Sequence, residues 1–383
     1  MTQTGNWNYP TAVKFGAGRI SELADHCRTA GIARPLLVTD AGLAVNPMIA
    51  GALAVLEAGG LDAAVFADVR SNPVSENVDA GVAAYRAGGH DGVIAFGGGS
   101  ALDVGKVIAF MSGQSRPLWD FEDVGDWWTR ADPAGIAPVV AVPTTAGTGS
   151  EVGRAGVITD AASHTKKIIF HPRMMPVITL CDPALTVGLP AHLTAATGMD
   201  ALSHCLEAYC APGFHPLADG IAVEGVRLVK QSLPTATRNG GDLAARSDMM
   251  AAALMGATAF QKGLGGMHAL AHPIGAVFDT HHGLTNAVLM PYVLTFNRAA
   301  IEGRIARLAD YLDLDGGFDG FVAWVLALRA QLGIAHTLAQ IGVDPARADL
   351  IATMAVDDPS AGDNPIKLDV AATRRIFDAA MAG

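Results

Sequence analysis

Asp200 and His204 stand four residues apart in Thr197-Gly-Met-Asp200-Ala-Leu-Ser-His204. On a helix that spacing puts both side chains on one face. The same interval returns in His268-Ala-Leu-Ala-His272, and Thr280-His281-His282-Gly283 adds two more imidazoles. A single Asp/His pair at this spacing is as often a simple hydrogen bond, and a lone histidine on an apolar helix is more often a satisfied core group. A larger set, flanked by glycine and small apolar residues rather than by other charges, is a ligand set for Fe(II), Zn(II), Ni(II) or a similar ion. Spacing leaves open which of His268, His272, His281 and His282 ligate. Cys205 adjoins His204 and points off its face, so it reads as core filler, as does Cys210.

Two further segments could hold phosphate or ribose. The apolar run Val93–Phe96 leads into Gly97-Gly-Gly-Ser100-Ala-Leu-Asp103-Val-Gly-Lys106. A strand, a glycine turn and then a helix whose first N–H groups have no intrahelical partner make an anion site. Ser100 and Asp103, three residues apart, read as a variant capping box opening that helix. The segment is not GxGxxG, and taken alone it could equally be a tight strand-to-helix turn. After the run ending at Val142 comes Pro143-Thr-Thr-Ala-Gly-Thr-Gly-Ser-Glu151, dense in hydroxyl donors suited to a ribose, a diphosphate or a carboxamide. Asp40 ends an early apolar run. There an acid can accept from the adenosine ribose hydroxyls and repel a 2′-phosphate, favouring NAD over NADP, and it can also cap the next helix.

The elements that must position these groups differ between the two halves. From residue 34 to about 185, short Val/Ile-rich runs (35–40, 63–66, 92–96, 138–142, 177–180) alternate with Ala-rich amphipathic stretches such as 42–58 and 74–88. That is the pattern of buried parallel strands with helical crossovers. From about residue 186 the runs stop, and long Ala/Leu/Met-rich helical pattern follows. The expected division is an α/β domain over 1–185 and an all-helical domain over 186–383, with a short hinge near 183–190 and a ligand cleft between them. The segment 112–130, rich in Trp and Asp, reads as a loop.

Half of the 383 residues are hydrophobic, enough for a core in each domain. The formal net charge of −11 disfavours nucleic acid and anionic membrane surfaces. The start, MTQTGNWNYP, shows no basic stretch followed by an apolar run, and no segment has the apolar length of a membrane helix. A cytoplasmic location is expected. The four cysteines form no metal-ribbon spacing and are expected to be free thiols.

In order and spacing, GGGSALDVGK (97–106), PTTAGTGSE (143–151), DPALTVGLP (182–190), TGMDALSHCLEAY (197–209), HALAHPIGA (268–276) and HHGLTNAVLMPYVL (281–294) resemble the iron-dependent (group III) alcohol dehydrogenases, over nearly the whole chain. The resemblance implies the dehydroquinate synthase-like fold, an α/β dinucleotide-binding domain followed by an all-α one. Carried over residue by residue, it implies metal ligands at Asp200, His204, His268 and His282, with His272 a non-ligand near the nicotinamide that relays a proton. His281 falls outside the ligand set. Cofactor contacts fall on Asp40, Asn72, Gly98, Gly99, Ser100, Asp103, Thr144, Thr145, Thr148 and Lys166, with Lys167 adjacent, and Leu185 lies near the adenosine. The activity implied is reversible hydride transfer between a small alcohol and NAD at Fe(II), with Zn(II) the alternative metal, in a homodimer or higher homo-oligomer. Competing readings are a glycerol dehydrogenase-like or dehydroquinate synthase-like enzyme on the same fold, or a non-catalytic nucleotide- or metal-binding relative.

Overall fold

The computed structural model describes residues 11–163 and 165–383; the stretch read for a leader lies, through Pro10, outside them. The chain divides into two units, one running to Gly188 and the other from Leu189 to Gly383. In the first the strands are β1 (Ala12–Phe15), β2 (Pro35–Val38), β3 (Ala64–Phe66), β4 (Gly92–Gly97), β5 (Val139–Pro143), β6 (Ala155–Asp160), β7 (Thr165–Phe170) and β8 (Ile178–Cys181). Its helices are α1 (Leu23–Thr29), α2 (Ala41–Ala44), α3 (Pro47–Ala58), α4 (Ser75–Ala87) and α5 (Gly99–Met111).

The five apolar runs become strands of a six-stranded sheet in the order β1-β8-β5-β4-β2-β3, with every pairing parallel. Every residue of β2, β4, β5 and β8 is buried, which is why these strands read as continuous apolar runs without alternation. One face carries Val78, Val82 and Tyr85 of α4 with the apolar side of α5; the other carries Leu23 and Cys27 of α1 with Ile49, Ala52 and Leu56 of α3. From β2 the chain steps outward to β3 and then returns to the opposite side of β2 as β4. The order therefore reverses between β2 and β4, and ligands of open α/β sheets bind outside the strand ends at such a point.

Several local expectations are corrected. The stretch 42–58 is two helices, because Asn46 accepts from Met48 N at 3.1 Å and Pro47 starts a new helix. Ser100 is not a cap: α5 begins at Gly99 with Gly98 as its N-cap residue, and no side chain caps it. The segment 112–130 is not a bare loop. It forms 3-10 turns at Leu118–Phe121 and Trp127–Arg130, and Phe121 is fully buried, edge-on to Phe110 at 5.0 Å. Strand β1 and the antiparallel hairpin β6–β7 also escaped the sequence reading. The hairpin had a signal: Asp160 accepts from Ala162 N and from the Ser163 hydroxyl, a side-chain-closed turn between two β-branched runs.

In the second unit the helices are α6 (Ala191–Cys210), α7 (Pro216–Arg238), α8 (Leu243–Ala259), α9 (Gly266–Phe278), α10 (His282–Tyr311), α11 (Gly317–Gln331), α12 (Ala348–Val356) and α13 (Val370–Ala382), and among the described residues no strand occurs. Helix α6 is its centre: every residue from Thr194 to Cys210 is buried, against α7, α8 and α10. Because α6 is enclosed on every side, its polar side chains have only other protein groups, or a ligand, to face.

Candidate metal centre and nucleotide cradle

Buried α6 carries Asp200 and His204 on one face, and α9 brings His268 to them. One ligand atom from each of the three residues lies within 4.8 Å of the others. The three are 2%, 4% and 2% exposed. His282 opens α10, and its Nε2 lies 3.7 Å from Asp200 Oδ1. The His204 and His268 rings stack at 4.8 Å, and the His282 ring lies tilted against His268 at 5.2 Å. A buried carboxylate and two buried imidazoles, with the partly exposed His282 beside them, fit a divalent transition ion by donor type and number. His272, one turn beyond His268, stacks on His282 at 5.3 Å but stands outside the Asp200–His204–His268 group. His281 is exposed and accepts from Leu284 N as the N-cap of α10.

Gly283 delivers His282. A Cβ at 283 would lie 2.4 Å from Ala196 O and 3.0 Å from Asp200 Cβ, so only glycine lets α10 start this close to α6. The turn from α9 into α10 is made by Asp279 in the left-handed region (φ 54°).

Three residues outside the predicted set complete the geometry. Glu207 Oε2 meets His268 Nδ1 at 2.7 Å and its Oε1 accepts from Met267 N at 2.6 Å. Because carboxylate oxygens only accept, Nδ1 carries the proton and Nε2 keeps its lone pair for the pocket. Burial pushes the His268 imidazole down, but the hydrogen bond and charge of Glu207, with Asp200 and Asp358, outweigh it and leave it raised. Glu207 was findable: it sits three residues after His204, on the same helical face. Asp358 Oδ2 meets His272 Nδ1 at 2.8 Å. Burial raises the Asp358 carboxyl, but His272 and Ser360 more than offset this and hold it below the usual carboxylate range. Asn286, one turn after His282, donates to Asp200 Oδ1 at 2.9 Å. Nothing local in the sequence marks Asp358 or Asn286.

In the α/β unit the two hydroxyl- and glycine-rich turns lie side by side at the strand-order reversal. Thr144 N donates to Gly97 O at 3.0 Å. A Cβ on Gly98 would come within 3.3 Å of Thr145 Cγ2, and one on Gly99 within 2.6 Å of Thr148 Cγ2. The uncapped start of α5 and these close-set turns form a cradle that side chains would fill, which suits a pyrophosphate. Asp40, across the reversal, caps α2 through Leu43 N at 2.9 Å, leaving Oδ2 toward Gly97. Ser100 Oγ donates to Ser71 O, beside Asn72. Asp103 is engaged within the chain, accepting from Ser150 Oγ at 2.5 Å and Val157 N at 3.0 Å. It ties the second turn to α5.

Glu151 closes the second turn. It is buried, with no hydrogen-bond partner at Oε1. Burial pushes its carboxyl up to about 7, against a backbone hydrogen bond and the Lys106 ammonium. A folded-state pKa above the unfolded one stabilises below the unfolded value and ceases to do so as pH rises through the folded value. Glu151→Gln cannot titrate. It should melt progressively higher than the wild type as pH rises from about 5 to about 8, the difference growing by roughly 3 kcal/mol. Parallel melting curves across that range would refute the assignment.

Residues 10–183 match the iron-containing alcohol dehydrogenase family, and residues 194–381 match the C-terminal region of the Fe-containing alcohol dehydrogenase family. The chain belongs to the iron-containing alcohol dehydrogenases. It is 41% identical to 4-hydroxybutyrate dehydrogenase of Cupriavidus necator over 384 residues, covering 97% of this chain and 99% of that protein. It is 34% identical to NAD-dependent methanol dehydrogenase of Bacillus methanolicus, covering 94% and 95%. Among solved structures, 1,3-propanediol oxidoreductase superposes with a TM-score of 0.94 at 34% identity, covering 99% and 100%. This alcohol dehydrogenase is an iron- and NAD-dependent oxidoreductase acting reversibly on an alcohol and its carbonyl product.

Lys167 bonds to Glu122 and Asp160 at 3.3 Å each, beside Lys166 on the hairpin. Leu185 packs on the sheet face covered by α1 and α3. All four cysteines are free and buried, and burial raises every thiol, Cys27, Cys205 and Cys210 to about 12. None is a thiolate at neutral pH. Among the described residues no helix is long and apolar enough to cross a membrane.

Proposed function

We propose that this enzyme interconverts a short primary alcohol carrying a second oxygen function at its far end with the corresponding aldehyde. The support is its likeness to 4-hydroxybutyrate dehydrogenase and 1,3-propanediol oxidoreductase across nearly the full chain. The observation that carries the site assignment is the buried convergence of Asp200, His204 and His268, with His282 against Asp200. In this reading residues 1–185 bind the dinucleotide and 186–383 bind metal and substrate. Asp200, His204, His268 and His282 hold the iron. Four protein donors already fill a tetrahedron, and one more oxygen suits Fe(II) better than Zn(II).

When bound, the ion supplies Lewis acidity to the alcohol oxygen, and the nicotinamide supplies the hydride acceptor. Side chains do the rest. Glu207 fixes the His268 tautomer. Asp358 accepts from His272 Nδ1, leaving Nε2 as the atom that passes a proton between alcohol and solvent. Gly98, Gly99, Thr144, Thr145 and Thr148 cradle the pyrophosphate. Ser100 and Asn72 line it, Asp103 holds the turn, Lys166 and Leu185 flank the cofactor, and Asp40 receives the ribose. The enzyme works in the cytoplasm as a homodimer or higher homo-oligomer, the common form of soluble enzymes.

The test is NADH oxidation after anaerobic loading with Fe(II), and separately with Zn(II), against the aldehydes of 4-hydroxybutyrate, 1,3-propanediol and unsubstituted butanol. A higher kcat/KM for the two bifunctional aldehydes supports the proposal; equal or better use of the unsubstituted one refutes it. Asp40→Asn keeps a capping oxygen but removes the charge. It should lower KM for NADPH about tenfold with Tm unchanged, a gain of roughly 1.4 kcal/mol. An unaltered NADPH KM would remove Asp40 from the ribose site.

A further inference from the structure

Asn286 is fully buried. Its Nδ2 lies 2.9 Å from Asp200 Oδ1, 3.2 Å from His268 Nε2 and 3.2 Å from His282 Nε2. One amide nitrogen thus touches the metal-facing atoms of three of the four proposed ligands. Its orientation is set by chemistry. Glu207 fixes the His268 proton at Nδ1, so Nε2 presents a lone pair, and Asp200 Oδ1 can only accept. A carbonyl oxygen turned into that cluster would meet two acceptors, Asp200 Oδ1 and His268 Nε2. Yet the amide that points inward leaves its own Oδ1 buried without a hydrogen-bond partner. Burying an unpaired carbonyl is unfavourable, so what the NH2 group gains inside the pocket must outweigh what its oxygen loses outside it.

We propose that Asn286 is a placeholder for the metal: its NH2 group holds Asp200 and His268 together, beside His282, in the metal-free protein and competes with the ion for their lone pairs. The inference rests on the ligand assignment proposed above. A divalent ion needs the same two lone pairs, on Asp200 Oδ1 and His268 Nε2, that the two amide hydrogens occupy, and its charge repels those hydrogens. Loading therefore gives up bonds that the metal-free state enjoys. By linkage, a substitution that removes the amide destabilises the metal-free protein more than the loaded one, and the difference reappears as tighter binding. A residue that merely braced the loaded site would do the reverse.

The experiment measures Tm with and without Fe(II), and with Co(II) as a spectroscopic probe, together with the ion's Kd by chelator competition. It uses the full chain, wild type, Asn286→Ala and Asn286→Asp. Asn286→Asp preserves shape should the alanine variant fail to fold. The expected result is a metal-free Tm that falls more than the loaded Tm in each variant. Kd should tighten about tenfold for Asn286→Ala, the scale of one lost competing hydrogen bond. It should tighten further for Asn286→Asp, whose carboxylate repels Asp200 until a cation arrives. A loaded Tm that falls more than the metal-free Tm, or a Kd that is unchanged or weakened, overturns the proposal. Failure of the wild type itself to bind either ion would instead overturn the ligand assignment, and the placeholder with it.

Discussion

His268→Ala is expected to lose both stoichiometric metal and turnover. His268 is 2% exposed, shares the pocket with Asp200 and His204, and carries the Glu207 hydrogen bond. Alanine removes a donor from the centre of the set and leaves Glu207 buried without its imidazole partner. Lewis-acid stabilisation of developing charge is worth several kcal/mol, so kcat/KM should drop roughly 10³-fold or more. Metal content by elemental analysis and initial rates after anaerobic iron loading are the two readings. His281→Asn is the control, because it keeps a capping side chain at an exposed position one residue before His282. The ligand assignment fails if His268→Ala retains full metal content and rate.

Gly283→Ala is expected to act through backbone packing and still reach the same endpoint. The added Cβ would meet Ala196 O at 2.4 Å, and neither partner is the end of a flexible side chain. Relief requires α10 to move away from α6, which takes His282 away from Asp200. Overpacking of this kind costs about 1–3 kcal/mol, and for a unit of this size that lowers Tm by roughly 5–10 °C. Metal occupancy should fall with it, while NADH binding, read by fluorescence, should persist because the cradle is built from residues 97–103 and 143–151. An unchanged Tm with full metal content would mean that α10 tolerates the methyl group and that the close approach is incidental.

These two variants divide what is local from what is not. The i, i+4 interval of Asp200 and His204 is a property of helix geometry, so their shared face was readable from residue numbers alone. The interval of His268 and His272 was equally readable. It put both on one face without saying that Glu207 would orient the first and Asp358 the second. Those partners are 61 and 86 residues away in sequence, and helical periodicity carries no information at that distance. The glycine turn was read correctly as a strand-to-helix junction, but its capping box was not. The pattern Ser-x-x-Asp fits a cap in isolation, whereas Ser150 and Val157 draw Asp103 away in the folded chain.

By itself, then, the sequence determined the elements whose burial is uniform: the four all-buried strands of the parallel sheet, the Ala-rich crossovers and the enclosed helix that bears Asp200 and His204. It also determined the family, because six motifs in fixed order constrain a chain more tightly than any one of them. Only the tertiary structure decided which histidines meet, that β6–β7 is a hairpin and that 112–130 packs into the core. It alone revealed that Asn286 Nδ2 lies within 3.2 Å of Asp200, His268 and His282 at once. The physical reason is one of range. Burial and periodicity are imposed residue by residue along each element, whereas a coordination pocket is set by how closely helices approach, and here that distance depends on the absence of one Cβ at Gly283.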